Sequence, residues 1–150
     1  MTIHIQRRKG IPKLDTGLLR RRIARLMKLL QVDQKELSVL FTEDREMTDL
    51  NRSYRNKNRT TDVLSFAQSE GPRGELHPEI LGDVVISVPT AKRQARERRH
   101  TLTEELIILL VHGVLHLLGH EHERTDRKTR ALMQKEQERL VAILTSQSKR

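Results

Sequence analysis

The strongest constraint on the fold is a long apolar segment between Leu102 and Leu118. Thr101 and Glu104 have the spacing of a capping box, which predicts that a helix begins directly after Thr101. Because the segment is apolar nearly all round, we expect this helix to be buried. Hydrophobic residues make up 35% of the 150 residues, which is adequate for one core around it.

Two histidines interrupt this apolar helix, and a third follows it. His112 and His116 are four residues apart, so they share a helix face and lie about 6 Å apart along the axis. Gly119 can adopt a left-handed conformation that reverses the chain and brings His122 back to the pair. One interpretation is a pair of hydrogen-bonded core histidines. Three histidines at this spacing favour the other interpretation, a metal site with a position left for water or substrate.

The residue after the first histidine is unusual for such a motif. Metzincin zinc proteases share the spacing H-E-x-x-H-x-x-G-x-x-H, in which the glutamate is the general base. This chain reads HGVLHLLGHEH from residue 112, with Gly113 in the place of that glutamate. A glycine inside a helix costs about 1 kcal/mol relative to alanine. Either another backbone or a substrate approaches the helix at Gly113, or neighbouring elements simply pack tightly there.

The rest of the chain alternates between short strand patterns and amphipathic helices. Alternating or continuous apolar runs predict four strands, at residues 3–6, 37–41, 62–66 and 83–88. Helical spacing predicts four more helices, at residues 15–30, 44–54, 90–99 and 126–144. Glycine and proline place a loop at residues 71–78. We therefore expect a single α+β domain over residues 1–150, with one mixed sheet, about five helices and the histidine helix buried at its centre.

The chain is strongly basic and contains no cysteine. A net charge of +9 favours a polyanion such as nucleic acid as the partner, although solubility alone explains it equally well. The three aromatic residues, Phe41, Tyr54 and Phe66, are too few for a base-stacking platform, so we expect mostly phosphate contacts. Without cysteine, disulfides and thiolate metal sites are excluded, which fits a cytoplasmic protein.

No targeting or membrane segment is predicted. The N-terminal residues lack an apolar run followed by a cleavage site. The uninterrupted apolar run at residues 106–111 is six residues long, which is too short to cross a bilayer. The chain also lacks paired carboxylates, a glycine-rich phosphate loop and a G-x-S-x-G elbow, which would indicate other chemistry.

The histidine motif and three upstream segments resemble the YbeY family, bacterial metal-dependent endoribonucleases that mature ribosomal RNA. The family signature H-G-x-L-H-L-x-G-Y-D-H is matched from residue 112. LNRSYR from residue 50, TDVLSF from residue 61 and LGDVVI from residue 81 match L-N-x-x-Y-R, T-D-V-L-S-F and L-G-D-I-x-I. Met133 and Glu136 lie in a final helix like that of the family. The matches run in order from about residue 40 to residue 140.

Three residues depart from the family pattern. His120 replaces a tyrosine, Glu121 replaces an aspartate, and Ala67 replaces a proline. Because His120 and His122 both follow the turn, either one is placed to be the third ligand. The family pattern assigns that role to His122 and leaves His120 as a surface residue or a neighbour of the ligands.

The resemblance implies a single-strand endoribonuclease in ribosomal RNA maturation and ribosome quality control. It implies one Zn²⁺ per chain, or another divalent metal, held by His112, His116 and His122, with His116 also counted as catalytic. Water on the metal, its pKa lowered to about 7, would be the nucleophile. Arg55 would bind the scissile phosphate, whereas the residues alone indicate a surface cation in a helix-end cluster. That cluster also contains Arg52, Lys57 and Arg59.

The expected partners are ribosomal RNA and the small ribosomal subunit, with no membrane and no small-molecule cofactor. A carboxylate near an incoming phosphate would repel it, so a chain without the glutamate suits an anionic substrate. Ser65 or Asp62 is also considered for orienting the site, although nothing in the spacing shows such a role. Two other hypotheses remain: a ribosome-assembly factor with a structural metal, and a metallohydrolase of another substrate such as a peptide. Gly113 and the basic charge argue against a peptidase.

Overall fold

A four-stranded mixed sheet is the framework of the protein. The computed structural model describes residues 2–68, 77–119 and 127–148. The strands are β1 (Thr2–Arg7), β2 (Glu36–Thr42), β3 (Val63–Ala67) and β4 (Ile80–Ser87). Their order in the sheet is β1-β2-β4-β3; β1, β2 and β4 are parallel, and β3 is antiparallel to β4. The predicted mixed sheet is confirmed.

The helices of the described residues number five, as predicted for an α+β domain. They are α1 (Thr16–Leu29), α2 (Asp44–Arg55), α3 (Val88–Arg98), α4 (Leu102–Leu118) and α5 (Arg127–Ser148). Helix α3 begins two residues before its predicted start because the Ser87 hydroxyl caps it, accepting from the Thr90 N–H. Pro89 fits this first turn, where its missing N–H costs nothing. The loop predicted at residues 71–78 lies mostly outside the described residues.

Helix α4 lies in the core on one face of the sheet, together with α1 and α5. Alternate strand residues point into this core, as the two-residue period of a strand requires. They include Ile3, Leu37, Val39, Phe41, Val84 and Ile86. The predicted capping box is present, since Thr101 and Glu104 each bond the other's backbone N–H.

Within the described ranges no single helix is long and apolar enough to span a membrane. Helices α3 and α4 reach that length and composition only together, across a 112° bend.

Helix α2 covers part of the opposite face of the sheet, and Asp44 in its first turn joins several elements. The Asp44 carboxylate accepts hydrogen bonds from Thr60 (3.2 Å), Ser87 (2.6 Å), Thr90 (2.6 Å) and Arg93 (2.8 Å). Burial alone would raise its pKa, but hydrogen bonds from Ser87, Thr90 and Arg93, with the charge of Arg93, lower the pKa to about 2. The ionised carboxylate therefore ties α2 to the loop before β3, to the end of β4 and to α3.

Gly113 lies where α4 packs closely against β3 and β4. A Cβ atom at Gly113 would lie 2.8 Å from Val84 Cγ1 and 3.2 Å from Ser65 Oγ. The Ser65 hydroxyl also donates to the Gly113 carbonyl oxygen at 2.9 Å. Position 113 thus faces the sheet and has no room for a glutamate side chain. Of the two explanations for this glycine, the structure favours tight packing, here against the sheet.

We expect Gly113→Ala to lower the free energy of unfolding by about 1 kcal/mol or more. Overpacking a core costs roughly 1–3 kcal/mol, and the 2.8 Å approach to the short, stiff Val84 side chain places the cost in the upper half of that range. Alanine regains only about 1 kcal/mol of this in helix propensity. Urea denaturation of the two proteins measures the difference. Gly17→Ala in α1 is the control, because an added Cβ there meets nothing closer than 3.6 Å. Equal stability of Gly113→Ala and the unaltered chain would contradict the close packing.

Candidate metal centre

His112 and His116 form a pair of imidazoles on α4, as their four-residue spacing predicts. Their ring centroids are 4.4 Å apart, and the ring planes are inclined by 50°. Both side chains are partly buried. They line a cavity of about 250 Å³ between the end of α4 and the facing side of α5, which we call the histidine cavity. Two nitrogen donors are therefore brought together at one place.

The third predicted ligand, His122, lies outside the described residues, as do His120 and Glu121. Within the described ranges, no group of three or more His, Cys, Asp or Glu side chains is arranged to hold a metal ion. The assignment of His122 therefore stays a prediction. It is the side chain that would extend the pair to three donors.

The prediction that Gly119 adopts a left-handed conformation is wrong. Its backbone angles are φ −130° and ψ 41°. The Gly119 N–H donates to the carbonyl oxygens of Leu115 (3.0 Å) and His116 (3.3 Å). These two bonds complete the last helical turn, so Gly119 caps α4 after Leu118 without the left-handed conformation that was expected.

Gln137 on α5 fixes the orientation of the first imidazole. Nδ1 of His112 lies 2.8 Å from Gln137 Oε1, and a carbonyl oxygen can only accept, so the ring proton is on Nδ1. The lone pair on Nε2 is then the one available to a ligand, and a histidine that binds a metal usually donates its other N–H to an oxygen in this way. The donors that the structure describes therefore fit Zn²⁺. Sequence reasoning missed Gln137, because a glutamine on a helix carries no signal until its neighbours in space are known.

The α5 side of the histidine cavity carries positive charge. Arg130, Gln134 and Gln137 line it, with Leu115 and Met133 as the apolar part of the wall. Among the described residues no carboxylate lines this cavity. Arg130 therefore offers an anionic group attraction on this wall of the cavity.

Arg55 lies at the end of α2 and does not line the histidine cavity. Its Nη2 donates to the Ser65 carbonyl oxygen at 2.6 Å, and its guanidinium lies over the Phe66 ring, 5.1 Å from the centroid. Since the Ser65 hydroxyl bonds Gly113, Ser65 joins Arg55 to the histidine helix. Asp62, the other residue considered for this role, instead accepts from the Val63 N–H at 2.7 Å and so holds the start of its own strand.

A second concavity, which we call the cationic pocket, lies between the end of α2 and β3. Its volume is about 530 Å³, and its lining is mostly polar. The lining residues are Asn51, Arg55, Lys57, Arg59, Thr60, Thr61 and Leu64. The helix-end cluster predicted from the sequence is thus divided: Arg52 lies outside the pocket, bonded to Asp49 (2.8 Å) and Asn58 (3.2 Å).

Comparison with known proteins identifies the family of this chain. The family model described as Endoribonuclease YbeY matches residues 4–145. A relative of that name from Syntrophus aciditrophicus is 39% identical over 144 residues, which are 96% of this chain and 90% of the relative. The one from Syntrophotalea carbinolica is 41% identical over 142 residues, covering 94% of this chain and 95% of the relative. The solution structure of TM1509 from Thermotoga maritima shares the fold, with a TM-score of 0.67 and 22% identity over 99% of this chain and 92% of that one.

The fold and the histidine pair define an α+β protein with a candidate metal centre and a separate cationic pocket. The matches add a particular family to this class. The chain belongs to the endoribonuclease YbeY family, which confirms the resemblance seen in the sequence motifs.

We expect Gln137→Ala to weaken zinc binding about 10- to 100-fold, because the His112 ring loses the partner that sets its tautomer. Competition with a chromophoric chelator measures the affinity. Gln134→Ala is the matched control: Gln134 lines the same cavity, but its amide donates to Glu138 at 3.2 Å. This control should bind zinc as the unaltered chain does. Equal affinity of all three proteins would remove Gln137 from the metal centre.

Proposed function

We propose that the chain is a metal-dependent single-strand endoribonuclease of ribosomal RNA maturation and ribosome quality control. Family membership supports an endoribonuclease, a hydrolase that acts on RNA, with a role in ribosomal RNA processing. The observation that supports metal dependence is the imidazole pair of His112 and His116, in which Gln137 bonds Nδ1 of His112.

The proposed ligands of the metal are His112, His116 and His122. They would hold one Zn²⁺ per chain, and another divalent cation could use the same nitrogens. Three protein ligands leave one coordination position for water or substrate. Zinc bound by these residues would lower the pKa of a bound water to about 7 and so supply a nucleophile at neutral pH. His116 is catalytic in this proposal because its ring would touch the metal.

Arg55 is proposed to bind the scissile phosphate. Its contacts with the Ser65 carbonyl and the Phe66 ring fix the guanidinium before substrate arrives. A guanidinium presents five N–H donors in a fixed fork, a geometry that matches the oxygens of a phosphate. A cation fixed in advance stabilises the charge that develops on the phosphate in the transition state. The connection through Ser65 to Gly113 sets Arg55 relative to the histidine helix.

An anionic substrate agrees with the charges around the site. The net charge of +9 attracts a polyanion, and among the described residues the lining of the histidine cavity includes Arg130 and no carboxylate. Tight packing of Gly113 against Val84 leaves no place for the general base of a metzincin peptidase. The proposed partners are therefore ribosomal RNA and the small ribosomal subunit, in the cytoplasm.

We expect Arg55→Ala to slow the cleavage of ribosomal RNA about 100-fold while its zinc content stays unchanged, because Arg55 does not line the histidine cavity. Single-turnover cleavage and metal analysis of folded protein measure the two effects. Arg52→Ala, three residues earlier on α2, is the control and should cleave at the rate of the unaltered chain.

Equal cleavage by Arg55→Ala and the unaltered chain would remove Arg55 from the mechanism. A zinc-loaded unaltered chain that binds ribosomal RNA without cleaving it would contradict the proposed activity. That result would favour a ribosome-assembly factor with a structural metal.

A further inference from the structure

The cationic pocket is a separate feature from the histidine cavity. The two concavities share no lining residue in the part of the chain that the structure describes. Metal binding does not require the pocket, and cleavage chemistry as proposed uses only Arg55 from it. Its other two cations, Lys57 and Arg59, therefore need their own explanation.

The loop that carries Lys57 and Arg59 is fixed by its backbone. Asn51 is 3% exposed; its carbonyl oxygen accepts from the Lys57 N–H at 3.2 Å, and its Nδ2 donates to the Arg59 carbonyl oxygen at 2.9 Å. Asn56 ends α2 in the left-handed conformation, with φ 58° and ψ 37°. Thr60, the next residue along the loop, donates to the ionised Asp44. A loop held in this way presents its side chains at little entropic cost.

Lys57 and Arg59 carry positive charge that their surroundings do not neutralise. Both are exposed, and within the described ranges neither side chain has an ion pair or hydrogen bond. No carboxylate of those ranges lines the pocket. Arg52 is different, because Asp49 binds its guanidinium at 2.8 Å. Two such cations beside a pocket whose described lining holds no carboxylate attract a strong anion, and a phosphate fits the donors of lysine and arginine.

We propose that the cationic pocket binds a second, non-scissile phosphate of the RNA strand, with Lys57 and Arg59 as its binding residues. The inference rests on the proposed function, because it names where the backbone of that substrate lies. Arg55 lines the pocket, and Ser65, whose carbonyl oxygen it bonds, donates its hydroxyl to the histidine helix at Gly113. An RNA strand whose scissile phosphate contacts Arg55 would therefore bring a neighbouring phosphate to Lys57 and Arg59. Such a contact positions the strand without reading its bases.

The test is the double variant Lys57→Ala/Arg59→Ala, with Arg52→Ala as the charge-matched neighbour. The bonds that hold the loop use the backbone atoms of residues 57 and 59, so alanine leaves them in place. Circular dichroism and thermal melting verify the fold. The substrate is a short single-stranded RNA, cleaved by zinc-loaded protein at several salt concentrations.

We expect the double variant to raise KM about 10-fold with kcat nearly unchanged, because a contact remote from the reacting atoms binds substrate and transition state alike. The plot of log kcat/KM against log salt should become less steep by about 0.7 for the phosphate contact that is lost. A neutral methylphosphonate at one non-scissile position should raise KM for the unaltered chain and for Arg52→Ala, but have no further effect in the double variant.

The subsite is overturned if the double variant matches Arg52→Ala in KM and in salt dependence, or if it loses kcat at unchanged KM. Failure of the proposed function gives a different result, since the unaltered chain would then not cleave the RNA at all. In that case, equilibrium binding of the same RNA still tests the subsite. Weaker binding by the double variant alone supports the proposed subsite, and equal binding by all three proteins contradicts it.

Discussion

The contact of α4 with the sheet at Gly113 is the packing interaction on which the rest of the site depends. Because residue 113 has no side chain, Val84 and Ser65 reach the helix surface, and the Ser65 hydroxyl bonds the helix backbone. The neighbouring positions 112 and 116 line a cavity shared with α5. One face of this buried helix thus packs against the sheet, and another carries the histidine pair. Strand β3 lies between the helix and Arg55.

This arrangement also explains why the metal-ligand spacing occurs without the protease glutamate. Position 113 is a packing position, so a base at that point of the motif has no space in this fold. The described side chains that line the histidine cavity and the cationic pocket are cationic or neutral and include no carboxylate. A peptide would gain little from that environment, whereas a phosphodiester chain is attracted to it along its length. The absent base and the basic surface therefore have a common physical consequence, which is preference for an anionic substrate.

Much of the fold could be predicted from the sequence because its signals are local. The capping box of Thr101 and Glu104 set the start of α4, and apolar periodicity located the other helices and strands within a few residues. The four-residue spacing of His112 and His116 was enough to place the two rings together. Comparison with relatives then confirmed the family that the motifs indicated.

The features that sequence missed depend on contacts between distant segments. Gln137 meets His112 only because α5 packs along α4, and no periodic pattern encodes that contact. The basic cluster at the end of α2 looked uniform in sequence, yet Asp49 binds Arg52 while Lys57 lines a pocket. Gly119 was expected to be left-handed from its residue type, but two hydrogen bonds from its own N–H complete the helix instead.

The central claim is that three imidazoles hold one divalent cation and leave a coordination position open. X-ray absorption at the zinc edge, on the chain loaded with one equivalent of zinc, tests this most directly. The account predicts three imidazole nitrogens at about 2.0–2.1 Å and one oxygen from water, and a loss of one imidazole in His122→Ala but not in His120→Ala. Four protein ligands in the unaltered chain, or an unchanged spectrum in His122→Ala, would contradict it.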